Sequence, residues 1–248
     1  MDSVTPTSAP VSHTRESRKI NLALQGGGTH GAFTWGVLER LLDEDWLDFD
    51  GMSGTSAGAI NAAVFALGLS QGGRPGARDA MEKFWRGIGS SFAMSPMKAS
   101  PIEKAIWGHD LSHSMAWNAF EALTRIVSPY QLNPLYREEV PTTVSDIMNR
   151  LNEISFNASL MSEMRAIDFV QRLLEGGRLE QPRYRRIFLH SIEDEVHMRE
   201  FKLSTKFNGD WDFLQTLRRY GHAAADRFLS TSADAIGKDS SLDIQRYL

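Results

Sequence analysis

The sequence predicts an α/β domain built on a parallel sheet with helices on its faces. Three observations carry this prediction: an alternating apolar run at 20–25, a second apolar run at 49–54, and a helical apolar pattern after each of them. A strand followed by a helix and another strand returns in parallel to the same sheet, because the connecting helix packs on the sheet's face.

The elements follow in order along the chain. The first helix begins at Gly31 and the second is the apolar, small-residue stretch "TSAGAINAAVFALGL". Helical spacing then continues through "ARDAMEKFWRGI", "LSHSMAWNAFEALTRIV" and a long segment from about Thr143 to Gly176. "YRRIFLHSI" predicts a third strand. Three strands make a narrow sheet for a chain of 248 residues.

The composition of the chain excludes several classes of function. The net charge is −4, and the chain has no basic stripe that could bind the phosphates of a nucleic acid. We therefore expect no nucleic-acid partner. The chain has no cysteine, which excludes disulfides, thiolate metal sites and a cysteine nucleophile. No segment reaches the ~20 apolar residues of a membrane span. We therefore expect a soluble, cytoplasmic protein for which contact with a membrane surface is still allowed.

The chain is predicted to hold one domain. Residues 1–19 are rich in Ser, Thr and Pro, lack an apolar core run, and predict a disordered leader rather than a signal peptide. Residues 20–248 are expected to form a single domain.

A glycine-rich loop follows the first strand. Its sequence "GGGTHG" fits G-x-G-x-x-G, which in dinucleotide folds brings backbone N–H groups against a pyrophosphate. Such folds also place an acidic residue at the carboxyl end of the second strand. Here Asp48 and Asp50 stand at that strand's start, so a dinucleotide site is the weaker interpretation. A purely structural glycine turn is the other alternative.

The second strand ends in G-x-S-x-G, formed by Gly54, Thr55, Ser56, Ala57 and Gly58. Between a strand and a helix, this motif is typical of a nucleophile elbow, whose strained turn requires small neighbours around the serine. The alternative is a serine that only caps the following helix.

Both turns are predicted at the carboxyl edge of one parallel sheet, where active sites of such sheets lie. Ser56 would supply a nucleophile, and the loop of Gly26, Gly27 and Gly28 would supply N–H donors for a tetrahedral oxyanion. The anion expected at the loop is therefore a transient alkoxide rather than a phosphate. This combination favours hydrolysis of acyl esters by a serine enzyme.

"GGGTHG" followed by "GTSAG" resembles the patatin-like phospholipases, and "INLALQGGGTHGAFTWGVLERLL" is similar to a bacterial branch of that family. The resemblance continues through "VPTTVSDIMNRLNEISFNASLM" and "DWDFLQTLRRYGHAAADRFL". It implies a three-layer α/β sandwich that cleaves lipid acyl esters with a Ser–Asp dyad, without metal or cofactor. The family's loop usually carries Arg or Lys at the position of His30, which would otherwise be a first-turn residue facing solvent.

The dyad aspartate of the family lies in an Asp-Gly-Gly or Asp-Gly-Ala motif that this chain lacks. The pair Asp50-Gly51 precedes the elbow on the same extended strand and cannot turn back onto Ser56. Comparison with the resembled family suggests an internal deletion near Tyr136 and Arg137, which would truncate the sheet. A degenerate enzyme is the competing explanation.

Other residues are weak candidates for the base. His190 ends the predicted third strand and could pair with Ser56, although a structural role for a histidine at a strand end is favoured. Three aspartates in polar stretches are expected to be solvated or capping: Asp194, Asp210 and Asp212. We assign no base.

Two further hypotheses remain at the level of sequence. Residues 85–110 carry Phe92, Met94, Met97 and Trp107 among Gly, Ser and Pro, which could form an apolar flap over a lipid groove or pack ordinarily. The missing aspartate also leaves open a non-catalytic lipid-binding or scaffolding remnant in place of a lipid esterase.

Overall fold

The computed structural model describes residues 15–124, 161–179 and 183–247. Residues 1–14 of the predicted leader, the junction at Tyr136 and Arg137, and the part of the predicted helix between residues 143 and 160 lie outside the described residues. The predicted leader boundary at residue 19 is wrong, because Arg18 and Lys19 already belong to the first strand.

Two strands and seven helices form the described fold. The strands are β1 (Arg18–Leu24) and β2 (Leu47–Gly54). The helices in chain order are α1 (Gly31–Leu41), α2 (Ala57–Ala93), α3 (Pro101–Trp107), α4 (Met115–Thr124), α5 (161–175), α6 (Glu195–Met198) and α7 (Trp211–Ser232). Short 3₁₀ turns include Gly28–His30 and Leu203–Phe207.

The strands pair in parallel, as the sequence predicts. Arg18 pairs with Leu47 and Leu24 with Gly54, with a register shift between Ile20 and Asn21. Alternate side chains of β1 are exposed and half-buried. The described chain is thus a mixed α/β fold with a small parallel sheet, consistent with the truncated α/β fold that the sequence predicts. In the described residues the helices pack on one face, and the other carries exposed polar groups such as the Lys19–Asp50 ion pair.

The third predicted strand is wrong. No strand occurs at residues 183–194, and the described residues hold no strand besides β1 and β2. The backbone of Leu189 is instead satisfied by a loop, since its N–H donates to Ser240 Oγ and its carbonyl accepts from the N–H groups of Ser241 and Leu242. With its hydrogen bonds made to a loop, this apolar run has no neighbouring strand that would extend it into a sheet.

Helix α2 joins two predicted helices through a sharp break. Gly72 and Gly73 have non-helical backbone angles, and Pro75 follows them. The side chains of Asn61 and Trp85 lie 3.1 Å apart (Oδ1 to Nε1) although they are 24 residues apart in sequence. A straight helix would separate them by ~36 Å. The two arms of α2 therefore fold back on each other.

Helices α1 and α7 cross with their backbones in direct contact. A Cβ on Gly36 would lie 1.9 Å from the Arg218 carbonyl oxygen, and one on Gly221 would lie 1.9 Å from that of Phe33. Arg218 also crosses the interface to pair with the buried Glu39 and to stack on Trp35. This crossing fixes α7 against the helix that follows the glycine loop.

The main core lies where α1, both arms of α2 and α7 meet. Its members are apolar and almost fully buried: Ala32, Trp35, Leu38, Leu42, Phe65, Ala77, Met81, Trp85, Phe213, Leu214 and Leu217. The sheet contributes Leu22, Leu24, Phe49 and Met52 to its edge. No helix among residues 15–124, 161–179 and 183–247 is long and apolar enough to cross a membrane.

Candidate active site

Ser56 stands in the turn between β2 and α2 with a strained backbone. Its φ is +51° and its ψ −124°, and no other non-glycine residue of the described chain has a positive φ. Non-glycine residues adopt such angles at a cost of ~1–3 kcal/mol and only where the surrounding structure imposes them. An ordinary capping serine has extended angles and bonds the helix N–H groups, whereas Ser56 makes no side-chain cap bond.

The close approach of strand and helix imposes this strain. A Cβ on Gly54 would lie 2.5 Å from the carbonyl carbon of Gly58. A Cβ on Gly58 would lie 2.1 Å from the Leu24 carbonyl oxygen. Any larger residue at either position would force the backbones apart. The small residues of the G-x-S-x-G motif are thus a steric requirement of this turn.

The glycine loop lies directly against Ser56. A Cβ on Gly26 would lie 2.6 Å from the Thr55 carbonyl oxygen and 2.9 Å from Ser56 Cβ. Among the described residues, no group accepts a hydrogen bond from the N–H of Gly26, Gly27 or Gly28. Backbone donors beside the serine are therefore available to a ligand oxygen, which is the arrangement that stabilises an oxyanion.

The 3₁₀ turn Leu203–Phe207 holds the other side of this loop. The Thr29 hydroxyl donates to the Thr205 carbonyl at 2.9 Å, and His30 Nε2 lies 2.8 Å from Thr205 Oγ1. A Cβ on Gly28, which has a φ of +58°, would lie 2.3 Å from the Lys206 carbonyl oxygen. Thr205 is not recognisable from the sequence, because its segment is short, polar and 175 residues away from the loop it contacts.

His30 is a packed, neutral residue rather than one that faces solvent. Its ring lies 5.7 Å from that of Phe201 and 6.1 Å from that of Phe213. Burial, with a contribution from the charge of Lys206, lowers the pKa of His30 to about 3. The imidazole therefore does not replace the cation that the resembled family carries at this position.

Asn61 ties the helix after Ser56 to the helix after the glycine loop. It is fully buried, its Nδ2 donates to the Gly31 carbonyl at 2.9 Å, and its Oδ1 accepts from Trp85 Nε1. Asn61 is not among the site residues predicted from the sequence. The signal was present, because an asparagine within an apolar, small-residue helix needs a buried partner.

The Ser56 side chain is exposed, and within the described chain no carboxylate or imidazole hydrogen-bonds to its hydroxyl. His190 pairs instead with Ser241 (Nδ1 to Oγ, 2.8 Å) and packs against Phe228. Asp50 pairs with Lys19 on the exposed face of the sheet. His190 therefore makes structural contacts rather than pairing with Ser56, although it does not end a strand, and the described residues add no base.

The three downstream aspartates stabilise helix starts and ion pairs. Asp194 caps α6 and binds Arg227, and Asp210 caps α7. Asp210 and Asp212 both accept from Lys104, at 2.8 and 2.9 Å. Their capping and solvated roles are confirmed. No group of three or more metal-ligating side chains occurs in the described part of the chain.

The segment predicted as an apolar flap is partly core and partly exposed. Phe92 is buried in a small cluster with Leu111 and Trp117, against which Met97 packs. Met94 and Trp107 are exposed, with 87% and 48% of their surface accessible. A shallow groove of about 530 Å³, lined by Arg15, Arg40 and Asp226 among others, lies elsewhere and includes neither Ser56 nor the glycine loop.

Comparison with known proteins adds a family assignment to this geometry. Residues 22–233 match the family described as patatin-like phospholipase, a span that includes the glycine loop, the serine turn and α7. No curated protein and no solved structure gives a significant match.

Proposed function

Because this chain belongs to the patatin-like phospholipase family, a family of lipid acyl hydrolases, we propose that it hydrolyses acyl esters of lipids with Ser56 as nucleophile. The N–H groups of Gly26, Gly27 and Gly28 hold the oxyanion. The products are a fatty or short acyl acid and the deacylated lipid, and the reaction needs no metal or cofactor.

One observation carries the proposal: the strained Ser56 and the N–H donors of the glycine loop lie against each other, with a Cβ on Gly26 only 2.9 Å from Ser56 Cβ. Ser56 Oγ adds to the ester carbonyl carbon, and the carbonyl oxygen takes the negative charge beside those N–H groups. Collapse of this intermediate breaks the ester C–O bond, and the alcohol leaves with the proton of the Ser56 hydroxyl. The acyl-serine that remains is cleaved by water to the free acid and serine.

The helix that follows Ser56 offers a surface for the acyl chain. Ile60, Ala63 and Leu67 recur at helical spacing on the same side as Ser56. The exposed fraction of the side chain is 47% for Ile60 and 56% for Leu67. An acyl chain laid along this side of α2 would place its carbonyl near the serine.

The test is turnover of two substrates, p-nitrophenyl butyrate and phosphatidylcholine, by the wild-type protein and by Ser56→Ala. The proposal expects release of nitrophenol and fatty acid that Ser56→Ala abolishes. Ser53→Ala is the matched control, since Ser53 is an exposed serine on β2, three residues before Ser56. Equal turnover by Ser56→Ala and the wild type would refute Ser56 as nucleophile.

A second candidate function is a non-catalytic lipid-binding protein of this family. It is favoured by the Ser56 hydroxyl, which has no hydrogen-bonded carboxylate or imidazole among the described residues. Binding of phosphatidylcholine vesicles without fatty acid release would support it. Serine-dependent turnover would exclude it.

A further inference from the structure

We infer that a ridge of exposed apolar side chains on the segment 94–115 is the surface with which this protein contacts a lipid bilayer. We group under the name ridge the exposed apolar side chains of this segment, whose exposed fractions are 87% for Met94, 72% for Ile102, 64% for Ile106, 48% for Trp107 and 87% for Met115. Taking the partner to be a lipid rests on the proposed function.

Helix α3 is oriented with its charged side inward and its apolar side outward. Lys104 Nζ binds Asp210 and Asp212 at the start of α7, at 2.8 and 2.9 Å. Residues 102 and 106 lie one turn apart, and residue 104 lies ~200° around the helix from 102. The ion pairs of Lys104 therefore turn Ile102 and Ile106 away from the protein body.

Side-chain hydrogen bonds and a small buried cluster support this orientation of α3. Ser100 and Glu103 form a capping box at the start of α3. Beneath the segment, Phe92, Leu111 and Trp117 form their own buried cluster. The segment therefore packs on a core of its own, and the ridge residues are not part of that core. The fold holds two isoleucine side chains in water, which indicates a surface for an apolar partner.

The ridge has the side-chain chemistry of a membrane interface. Trp107 stacks on His113 with ring centroids 3.8 Å apart, which leaves an amphipathic indole beside the isoleucines. Lys98, four residues before Ile102 in the stretch that leads into α3, is exposed and provides a cation for lipid phosphates. Protruding methionine and isoleucine side chains, a tryptophan and a lysine suit insertion at the boundary between headgroups and acyl chains.

Hydrogen bonds connect the segment that carries the ridge to the candidate active site. Asp110 accepts from Ser204 Oγ at 2.6 Å and pairs with Lys202, and Asn208 donates to the His109 carbonyl at 2.8 Å. These contacts join the end of the ridge segment to the turn Leu203–Phe207, which holds the glycine loop through Thr205. Contact with a bilayer would thus bring the lipid surface to the element that supports the oxyanion donors.

The experiment measures flotation of the full chain with vesicles of phosphatidylcholine and phosphatidylglycerol. The double variant Ile102→Ser with Ile106→Ser should partition about tenfold more weakly or worse, because two apolar side chains no longer leave water. The matched control is Phe169→Ser with Val196→Ser, two apolar residues of similar exposure, 57% and 73%, outside the ridge. This control should bind like the wild type.

A second readout follows the ridge directly. Trp107 is the most exposed tryptophan of the described chain, so its emission should shift to the blue on binding, and Trp107→Phe should remove the shift. Equal flotation of the Ile102→Ser, Ile106→Ser variant and the wild type would overturn the inference. So would lipid-free self-association that this variant abolishes, since the ridge would then be an interface between copies. Ser56→Ala should float like the wild type, which separates this test from that of the proposed function.

Discussion

The imidazole of His30 and the hydroxyl of Thr205 lie 2.8 Å apart (Nε2 to Oγ1) and join the glycine loop to a turn near the other end of the chain. Thr205 Oγ1 donates its own proton to the Lys202 carbonyl at 2.6 Å. It must therefore accept from His30, which fixes the proton of the neutral imidazole on Nε2. The loop that supports Ser56 is thus held by a directed hydrogen bond.

Replacing Thr205 by valine should loosen this loop. The variant keeps the side-chain volume but leaves the buried His30 N–H without an acceptor, at a cost of ~1–3 kcal/mol in the free energy of unfolding. Urea unfolding measures that cost, and slower reaction of Ser56 with a fluorophosphonate measures the effect on the site. Thr216→Val is the control, since that exposed hydroxyl only donates to the Asp212 carbonyl and accepts from the exposed Arg219 on the same helix. Its free energy should change by less than ~0.5 kcal/mol. Equal effects of the two variants would contradict a special role for Thr205.

Stability should fall as the pH is lowered below neutral, with His30 as a main cause. Its pKa is about 3 in the folded protein against an ordinary 6.5, so between these values the unfolded chain binds a proton that the folded chain does not. The stabilisation is fully present above pH 6.5 and is lost as the pH falls towards 3. Urea unfolding at a series of pH values measures this slope.

The control for that slope is His30→Gln, which keeps an N–H donor but does not titrate. Its slope between pH 6.5 and about 5, above the ordinary pKa values of aspartate, 3.8, and glutamate, 4.5, should be smaller than that of the wild type. A residual slope is expected, because burial also lowers the pKa of His109 and of His190. An unchanged slope would show that His30 is not desolvated in the folded protein.

Gly26→Ala should impair the site more than its size suggests. The new methyl group would lie 2.6 Å from the Thr55 carbonyl oxygen and 2.9 Å from Ser56 Cβ, so the loop and the serine must separate. A displacement of ~1 Å is enough to reduce the reactivity of Ser56 by about 100-fold. The matched control is Gly87→Ala on α2, where nothing lies within 4 Å and added helix propensity should stabilise the protein by ~0.5–1 kcal/mol. If the Gly26→Ala protein reacts with a fluorophosphonate as fast as the wild type does, the close contact between Gly26 and Ser56 is contradicted.

Asn61 and Trp85 should be coupled in stability. Asn61→Ala leaves both the Trp85 N–H and the Gly31 carbonyl without their buried partner, at a cost of ~1–3 kcal/mol. Trp85→Phe removes the same N–H, so a double-mutant cycle should show that the two losses are not additive. The free energy of unfolding from urea titrations provides all four corners of the cycle. Additive losses would show that this hydrogen bond contributes nothing.

The sequence predicts the parts of this site that depend on short-range constraints. Strand, glycine turn and helix follow one another within a few residues, and the G-x-S-x-G spacing determines how closely Gly54 and Gly58 approach. Contacts over long sequence distances were not predictable in this way. Thr205 lies in a polar stretch without periodicity, and nothing local indicates that it reaches His30.

The third strand shows the opposite error. "YRRIFLHSI" has the composition of a strand, but composition does not reveal whether a neighbouring strand is present, and Leu189 bonds to a loop at Ser240 and Ser241. The prediction that His30 faces solvent is wrong for a related reason. A first-turn histidine is usually exposed, and only the distant Phe201 and Phe213 make its position a packed one.

The most direct test of the central claim is the intact mass of the purified protein before and after a fluorophosphonate probe. The account predicts a single adduct on the wild type and on Ser53→Ala, and none on Ser56→Ala. That result would mean that the nucleophile and the donors of the glycine loop are assembled as described. A folded wild-type protein that forms no adduct, or an equal adduct on Ser56→Ala, would contradict the account.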